Sequence, residues 1–341
     1  MHEQGARIHL HCFEYGRAIA NQLNEICETV RYYKRKQNAF YLFRSLPYIV
    51  LTRSSEELME NLLKDDYPIL FEGLHCCFHL NDRRLSKRKK IVRTHNIEHD
   101  YYENLAKVEP KIFRRIYFNN EARKLKRFET ILNKAEYIIA ISSADRSYLA
   151  SSYRNVTEVP AFHPDEKIAI QTGRGNFALY HGNLEIGENI EAAMYLVNQV
   201  FNTMTIPLII AGKNPPAHLT EAISRFPHIQ LKANISTEEI YRMVQEAQLN
   251  VLPTFQSTGI KLKLLTALFK GRHCVVNPAM VMGTGLESLC IICDSAEAMK
   301  KEIIRVFEIP FAVEEIQKRE EVLLEKFSNA LNAKKILELI R

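Results

Sequence analysis

Short apolar runs alternate with longer amphipathic segments along almost the whole of this chain. Regular alternation of strands and helices predicts parallel sheets covered by helices on both faces, because parallel strands need a crossover connection. Right-handed crossovers then produce doubly wound, Rossmann-like layers. The predicted strands are residues 8–13, 69–71, 91–94, 137–141, 177–180, 208–211, 250–252, 274–277 and 290–293, and the clearest predicted helices are 189–200, 236–247 and 260–269.

The length of 341 residues is too great for one ordinary core and predicts two domains. A polar, proline- and glycine-containing stretch near residue 170 has the composition of a linker. The predicted parts are an N-terminal Rossmann-like domain (1–160), a linker (161–176), a second Rossmann-like domain (177–312) and a C-terminal helical segment (313–341).

Composition narrows the class of protein. No apolar run is long enough to span a bilayer, and the first thirty or so residues lack the apolar core of a signal peptide, so we expect a cytoplasmic protein.

The seven cysteines are scattered, and the C-x-x-C at 290–293 encloses two isoleucines typical of a core strand, which favours free thiols over a zinc or redox site. The net charge of +6 is concentrated in basic stretches at 83–90 and 111–127. These stretches fit either solvated helix faces or a surface attracted to phosphates, including anionic membrane lipids at the inner face of the membrane.

Candidate binding residues follow the predicted strands of the second half. In open α/β sheets, ligands bind beyond the carboxyl ends of the strands, where loops and helix N-termini present unpaired N–H groups. The strand 177–180 leads into His-Gly-Asn-Leu, the strand 208–211 into Gly-Lys-Asn-Pro, and the strand 250–252 into a hydroxyl-rich loop that opens a helix with Gly-Ile-Lys-Leu-Lys. Glycine and positive charge at these exits suit a diphosphate.

The order of these segments, closed by Gly-Thr-Gly-Leu at 283–286, resembles the donor-binding half of the family 4 retaining glycosyltransferases. The resemblance implies the GT-B fold, with two Rossmann-like domains facing each other across a cleft and a C-terminal helix crossing back to the first. It also implies that these donor-side residues surround a nucleotide diphosphate-sugar: Gly182, Asn183, Lys213, Thr258, Gly259, Lys261, Lys263 and Thr266.

The first half carries a second match. The strand 91–94 ends at His95, where the family has a histidine close to the transferring sugar, so the resemblance makes His95 the candidate catalytic residue. Glu98, His99, Glu72 and His75 are expected on the acceptor side, since they lie nearby or follow the neighbouring strand. A zinc site at His95 and His99 is disfavoured because no third ligand accompanies them. A purely structural role for His99 stays open.

Two departures from the family pattern bear on activity. The glutamate that usually pairs with ribose hydroxyls is replaced by Thr266, and charge-assisted hydrogen bonds are about twice as strong as neutral ones. The chain also begins with what reads as the family's second strand, so the first strand, its glycine-rich loop and the following helix look absent. A sheet without its central strand would expose ladder edges.

The sequence therefore favours metal-independent transfer of a hexose, with retention, from a nucleotide diphosphate-sugar to a hydroxyl of a glycan or lipid-linked acceptor, in polysaccharide or glycolipid assembly. No cofactor and no nucleic-acid partner are expected. The alternative is a catalytically impaired relative that acts in binding or assembly. An epimerase or phosphorylase on the same fold is disfavoured by the lack of acidic residues in the donor segments. The sugar, the base and the acceptor stay open.

Overall fold

The computed structural model describes residues 1–16, 19–255 and 262–341. These residues form two compact units: Met1–Ala161 with Asn329–Arg341, and Phe162–Ser328. The strands are β1 (His9–Phe13), β2 (Thr29–Tyr33), β3 (Ile69–Glu72), β4 (Lys90–Arg93), β5 (Tyr137–Ala140), β6 (Val156–Glu158), β7 (Ala178–His181), β8 (Leu208–Gly212), β9 (Ile229–Ala233), β10 (Leu249–Leu252), β11 (His273–Val276) and β12 (Ile291–Ile292). The helices are α1 (Leu23–Ile26), α2 (Tyr48–Leu51), α3 (Glu56–Leu62), α4 (Glu98–Val108), α5 (Ile112–Phe128), α6 (Ser143–Ala150), α7 (Gly187–Tyr195), α8 (Ala217–Ser224), α9 (Thr237–Glu246), α10 (Leu262–Lys270), α11 (Pro278–Val281), α12 (Ala296–Phe307), α13 (Val313–Phe327) and α14 (Asn329–Ile340).

The second unit contains one six-stranded parallel sheet in the order β12-β11-β10-β7-β8-β9. This is the doubly wound order 3-2-1-4-5-6, read from β9, because β7 comes first in the chain and the sheet grows outward from it in both directions. The central strands β7 and β10 are buried throughout, as expected for strands covered on both faces. The order of strands reverses between β7 and β10, and ligands of open α/β sheets bind beside such a reversal.

The first unit contains a four-stranded parallel sheet, β3-β4-β5-β6, and a separate parallel pair, β1-β2. Within the described residues, β1 makes no ladder with β3, so the two sheets are not joined by backbone hydrogen bonds. The apolar core of the larger sheet is built on residues such as Val92, Ile138 and Leu125. The absence of the family's first strand stays a prediction.

The C-terminal segment is shared between the two units. Helix α13 belongs to the second unit, whereas α14 belongs to the first. The buried guanidinium of Arg319 on α13 donates to the carbonyls of Leu268, Gly271 and Arg272 at the end of α10. Because the last carbonyls of a helix lack intrahelical partners, this side chain both caps α10 and attaches α13 to it. The predicted segment 313–341 is therefore divided, and only its last helix groups with the first unit.

Candidate functional site

The candidate donor site lies at the carboxyl ends of β7, β8 and β10, beside the reversal of strand order. His181 ends β7, and Gly182 and Asn183 follow it; Thr254 lies just beyond β10. The hydroxyl of Thr254 donates to Glu188 Oε1 over 3.1 Å, which ties the loop after β10 to the first turn of α7. The two central loops thus meet through side chains as well as through the sheet.

Lys263 occupies the first turn of α10 and contacts Tyr180 of β7 and Asn189 in the first turn of α7. Its ammonium donates to Asn189 Oδ1 over 2.8 Å and to the Tyr180 hydroxyl over 3.4 Å, and it lies 5.1 Å from the centre of the Tyr180 ring. These contacts place a positive charge near the start of a helix, where N–H groups and the helix dipole already favour anions. The arrangement can attract a phosphate group.

His181 is a buried histidine in the same place. Burial, with a smaller contribution from the nearby Lys263, lowers the pKa of His181 to about 3, so the imidazole is neutral near pH 7. Within the described part of the chain, its Nε2 atom has no hydrogen-bond partner. A buried polar atom without a partner costs free energy, and such atoms are often satisfied by a ligand or water.

The loops after β7 and β8 are held against each other by backbone hydrogen bonds. Gly182 N donates to Ala211 O over 3.0 Å, and Leu184 N donates to Lys213 O over 3.1 Å. A Cβ atom at Gly212 would lie 2.1 Å from Gly182 O, so glycine is required for this close approach. The side chain of Lys213 is exposed beside these loops, as is that of Asn183.

Thr266 lies one turn after Lys263 on α10, and its hydroxyl contacts the segment that precedes β7. Its side chain is buried and its hydroxyl donates to Asp165 Oδ2 over 3.1 Å, while Lys270 pairs with the other oxygen of Asp165 at 2.9 Å. A carboxylate that is fully buried with one cation and one hydroxyl serves packing between α10 and the segment that precedes β7. The Thr266 hydroxyl is thus engaged within the unit, and a donor role for Thr266 stays a prediction.

Three predicted donor residues, Thr258, Gly259 and Lys261, lie outside the described residues. Their donor role stays a prediction.

The candidate acceptor-side cluster lies at the carboxyl ends of β3 and β4 in the first unit. Glu72 is the register partner of Arg93, and His95 follows two residues later. His95 Nε2 lies 2.7 Å from Glu72 Oε2, and Arg93 donates to the same oxygen over 3.3 Å. Burial opposes ionisation of Glu72, but the hydrogen bond with His95 and the charge of Arg93 outweigh it and lower its pKa. The carboxylate is thus charged near neutral pH and orients a half-exposed imidazole.

A second histidine–carboxylate pair adjoins the first. His75 Nδ1 lies 3.2 Å from Glu98 Oε1, and the His75 and His95 rings meet edge to face with centroids 6.3 Å apart. Burial lowers the pKa of His75, but hydrogen bonds with Cys76 and Glu98 outweigh it and raise the pKa to about 9. The structure therefore brings together four of the predicted residues, Glu72, His75, His95 and Glu98.

The remaining predicted residue, His99, lies elsewhere. Its ring is only 3% exposed and contacts Glu129 Oε2 at 3.3 Å, while Tyr148 and Tyr153 donate to the other Glu129 oxygen. A histidine buried in such a network is a structural residue, so His99 is not part of the proposed acceptor side.

Sequence reasoning missed His181, Glu188 and Asn189 as members of the donor-side cluster. A buried polar residue that ends a central strand, and polar residues that open the next helix, are signals that could have pointed to them. Their partners, Thr254 and Lys263, lie too far along the chain for spacing to reveal the contacts.

Two further observations concern metals and membranes. Within the described ranges, no group of three or more His, Cys, Asp or Glu side chains is arranged to hold a metal ion. None of the helices in the described part of the chain is long and apolar enough to cross a membrane.

Solved structures with the same architecture are glycosyl-transferring proteins. Sucrose-phosphate synthase from Thermosynechococcus elongatus superposes with a TM-score of 0.72 at 12% identity, covering 99% of this chain and 90% of that chain. A glycosyltransferase from Rickettsia africae gives 0.67 at 11% identity, covering 97% and 89%. A TarM variant from S. aureus, solved with fondaparinux, α-GlcNAc-glycerol and UDP, gives 0.60 at 14% identity, and the matched region covers 80% of this chain and only 55% of TarM. These likenesses show the fold, so the predicted fold class, parallel-sheet α/β of the GT-B type, is confirmed.

Sequence comparison shows similarity to a bacterial protein. An uncharacterized 44.6 kDa protein from the cps region of Klebsiella pneumoniae is 27% identical over 287 residues, which is 80% of this chain and 74% of that protein. No protein-family profile matches the chain.

Proposed function

We propose that this protein is a glycosyltransferase of family 4 type that transfers a hexose from a nucleotide diphosphate-sugar to a hydroxyl acceptor with retention. The observation that carries the proposal is that Lys263, at the start of α10, lies near His181 beside the reversal of strand order between β7 and β10. Among the described residues, the buried Nε2 atom of His181 has no hydrogen-bond partner. Preorganised positive charge stabilises a departing diphosphate without a metal ion, and it acts most strongly where water is excluded. The TarM variant solved with UDP shares this fold and supports a uridine nucleotide as the first donor to test.

Lys263 and Lys213 would hold the diphosphate, and Gly182 and Asn183 would allow its close approach to the loop after β7. In the transfer, the bond between the sugar's anomeric carbon and the diphosphate oxygen breaks, the acceptor oxygen bonds to that carbon, and the acceptor's proton passes to the departing diphosphate. His95, oriented by Glu72, would contact the sugar at that centre, with His75 and Glu98 beside it. The candidate acceptors are a polysaccharide and a lipid-linked glycan.

Calorimetry with UDP and GDP tests the donor half of the proposal. Lys263→Gln should weaken nucleotide binding by about tenfold or more, because a desolvated charge–phosphate contact contributes about 1.5–3 kcal/mol. The matched control is Lys301→Gln, which removes an exposed lysine from α12 of the same unit and should leave binding unchanged. Absence of binding heat for every nucleotide would favour the alternative of an inactive binding or assembly protein.

The catalytic part of the proposal is tested by measuring turnover. His95→Asn should lower turnover with the bound donor by about a hundredfold while nucleotide affinity stays unchanged, because positioned polar groups contribute about 10²–10⁴ to rate. Proton NMR of the first product formed then reports the anomeric configuration and decides between retention and inversion.

A further inference from the structure

The tip of the hairpin formed by α4 and α5 exposes large apolar side chains. Phe113 is 84% exposed, Ile116 59%, Val108 52% and Ile112 49%. Isolated exposed apolar residues are common, but several of them together at the end of one helical hairpin indicate an interaction surface.

Helical geometry places three of these residues on one side of α5. At 3.6 residues per turn, Ile112, Phe113 and Ile116 fall within an arc of about 100°. The side chains that α5 buries, Ala122 and Leu125 among them, lie on the opposite side. The apolar arc therefore has no place in the core of the unit.

The same exposed half of α5 is basic beyond its apolar tip. Arg123, Lys126 and Arg127 are exposed, and none of them pairs with a carboxylate within the described part of the chain. The only acidic residue of the helix, Glu121, is buried, where it accepts from Lys124 over 2.8 Å and from Tyr48 N over 2.6 Å. The exposed half of α5 therefore carries positive charge without compensation.

A neighbouring segment extends this surface. The 3₁₀ turn Ala39–Phe43 is attached to α5 by a hydrogen bond from Lys124 Nζ to Leu42 O of 2.8 Å, and it exposes Phe40 by 75% and Phe43 by 87%. The chain from Thr29 to Ser55 contains no acidic residue. We call the exposed half of α5 together with this turn the basic–apolar face.

We propose that the basic–apolar face docks the protein on an anionic phospholipid surface. Phenylalanine and isoleucine enter the boundary between headgroups and acyl chains, while arginine and lysine remain at the lipid phosphates. Lipid fits better than nucleic acid because Ile112 and Ile116 offer hydrocarbon rather than flat rings for base stacking. The proposal is independent of the donor site, and such docking would give the enzyme access to lipid-linked acceptors.

The absence of tryptophan from the chain makes a direct test possible. The variant Phe113→Trp carries the sole tryptophan, and its emission should shift to the blue when vesicles of phosphatidylcholine with phosphatidylglycerol are added. Ile304→Trp, at an exposed position on α12 of the other unit, is the matched reporter and should not shift. A shift of equal size at both positions, or with poly(U) RNA in place of vesicles, would overturn the proposal.

Vesicle flotation measures the contribution of each component. Arg123→Gln with Arg127→Gln should weaken partitioning by about 25-fold, since each basic residue near the surface contributes about fivefold. Ile112→Gln with Phe113→Gln should weaken it by more than about tenfold through lost apolar burial. The charge-matched control, Lys301→Gln with Lys318→Gln, should have no effect. Unchanged flotation of both face variants, or binding to pure phosphatidylcholine that salt does not weaken, would refute the assignment.

Discussion

Replacing Gly212 by alanine tests whether the contact between the loops after β7 and β8 builds the donor site. The added Cβ would lie 2.1 Å from Gly182 O and 2.7 Å from Leu184 Cγ. The carbonyl cannot move freely, because hydrogen bonds from Gly182 N to Ala211 O and from Leu184 N to Lys213 O hold the loops on both sides of the clash. The substitution must therefore break at least one of these bonds or displace β8.

The expected cost is about 3 kcal/mol, since overpacking against a fixed neighbour costs about 1–3 kcal/mol and a lost backbone hydrogen bond about 1 kcal/mol. For a unit of this size we expect the melting temperature to fall by about 6–12 °C. Circular dichroism on heating measures the loss, and calorimetry with UDP measures the accompanying loss of nucleotide affinity.

Gly187→Ala provides the control in the same loop region. A Cβ atom there would meet no atom within 4 Å, and the residue opens α7. Alanine at such a position stabilises by about 0.4–1 kcal/mol, because it restricts the unfolded chain. If Gly212→Ala melts at the temperature of Gly187→Ala and binds nucleotide normally, the loops do not approach each other as described.

Three further predictions concern individual polar side chains. The pKa of His181 is lowered to about 3 in the folded state, whereas the unfolded value is near 6.5. Its contribution to stability is therefore fully present above pH 6.5 and is lost as the pH falls toward about 3. In urea titrations, His181→Gln should reduce this acid destabilisation by about 2 kcal/mol between pH 7 and pH 5. Arg319→Met should cost about 3–5 kcal/mol in urea titrations, because it leaves three carbonyls at the end of α10 without a donor. Glu72→Gln should lower turnover without changing nucleotide affinity, because it removes the charge that orients His95.

Each of these predictions has an outcome that would contradict it. Parallel pH profiles for the wild type and His181→Gln would show that the imidazole titrates normally. A small loss of stability for Arg319→Met would show that water replaces the guanidinium. A matching loss of nucleotide affinity in Glu72→Gln would place this carboxylate at the donor rather than beside the transferring sugar.

The strands that sequence analysis missed share one feature, which three of the predicted strands, β1, β3 and β12, also have. All nine predicted strands are present, whereas β2, β6 and β9 were not predicted. Each of the missed strands lies at the edge of its sheet. Edge strands are short or polar because they pair on one side only, and their weak apolar signal follows from this position. The exposed and half-buried residues of β9 illustrate the effect.

The same argument explains which parts of the candidate site were predictable. Central or buried strands end just before Lys213, Gly182 and His95. The apolar pattern of a buried strand indicates where the strand ends, so these positions could be predicted from the sequence. The partners of these residues come from helices, where spacing indicates only which face is buried. Thr266 illustrates the limit: its place on α10 resembles that of the family's ribose-binding glutamate, yet its hydroxyl bonds with Asp165, about a hundred residues away.

The two interaction surfaces proposed for this protein differ in how strongly they depend on the backbone. The donor site depends on strand ends fixed by a buried sheet, so a change at Gly212 should reach it through the backbone. The basic–apolar face depends on exposed side chains, so Phe113 and Arg123 can be changed with little effect on folding. Loss of lipid binding with unchanged nucleotide binding, and the reverse for Lys263→Gln, would therefore establish two independent sites on one chain.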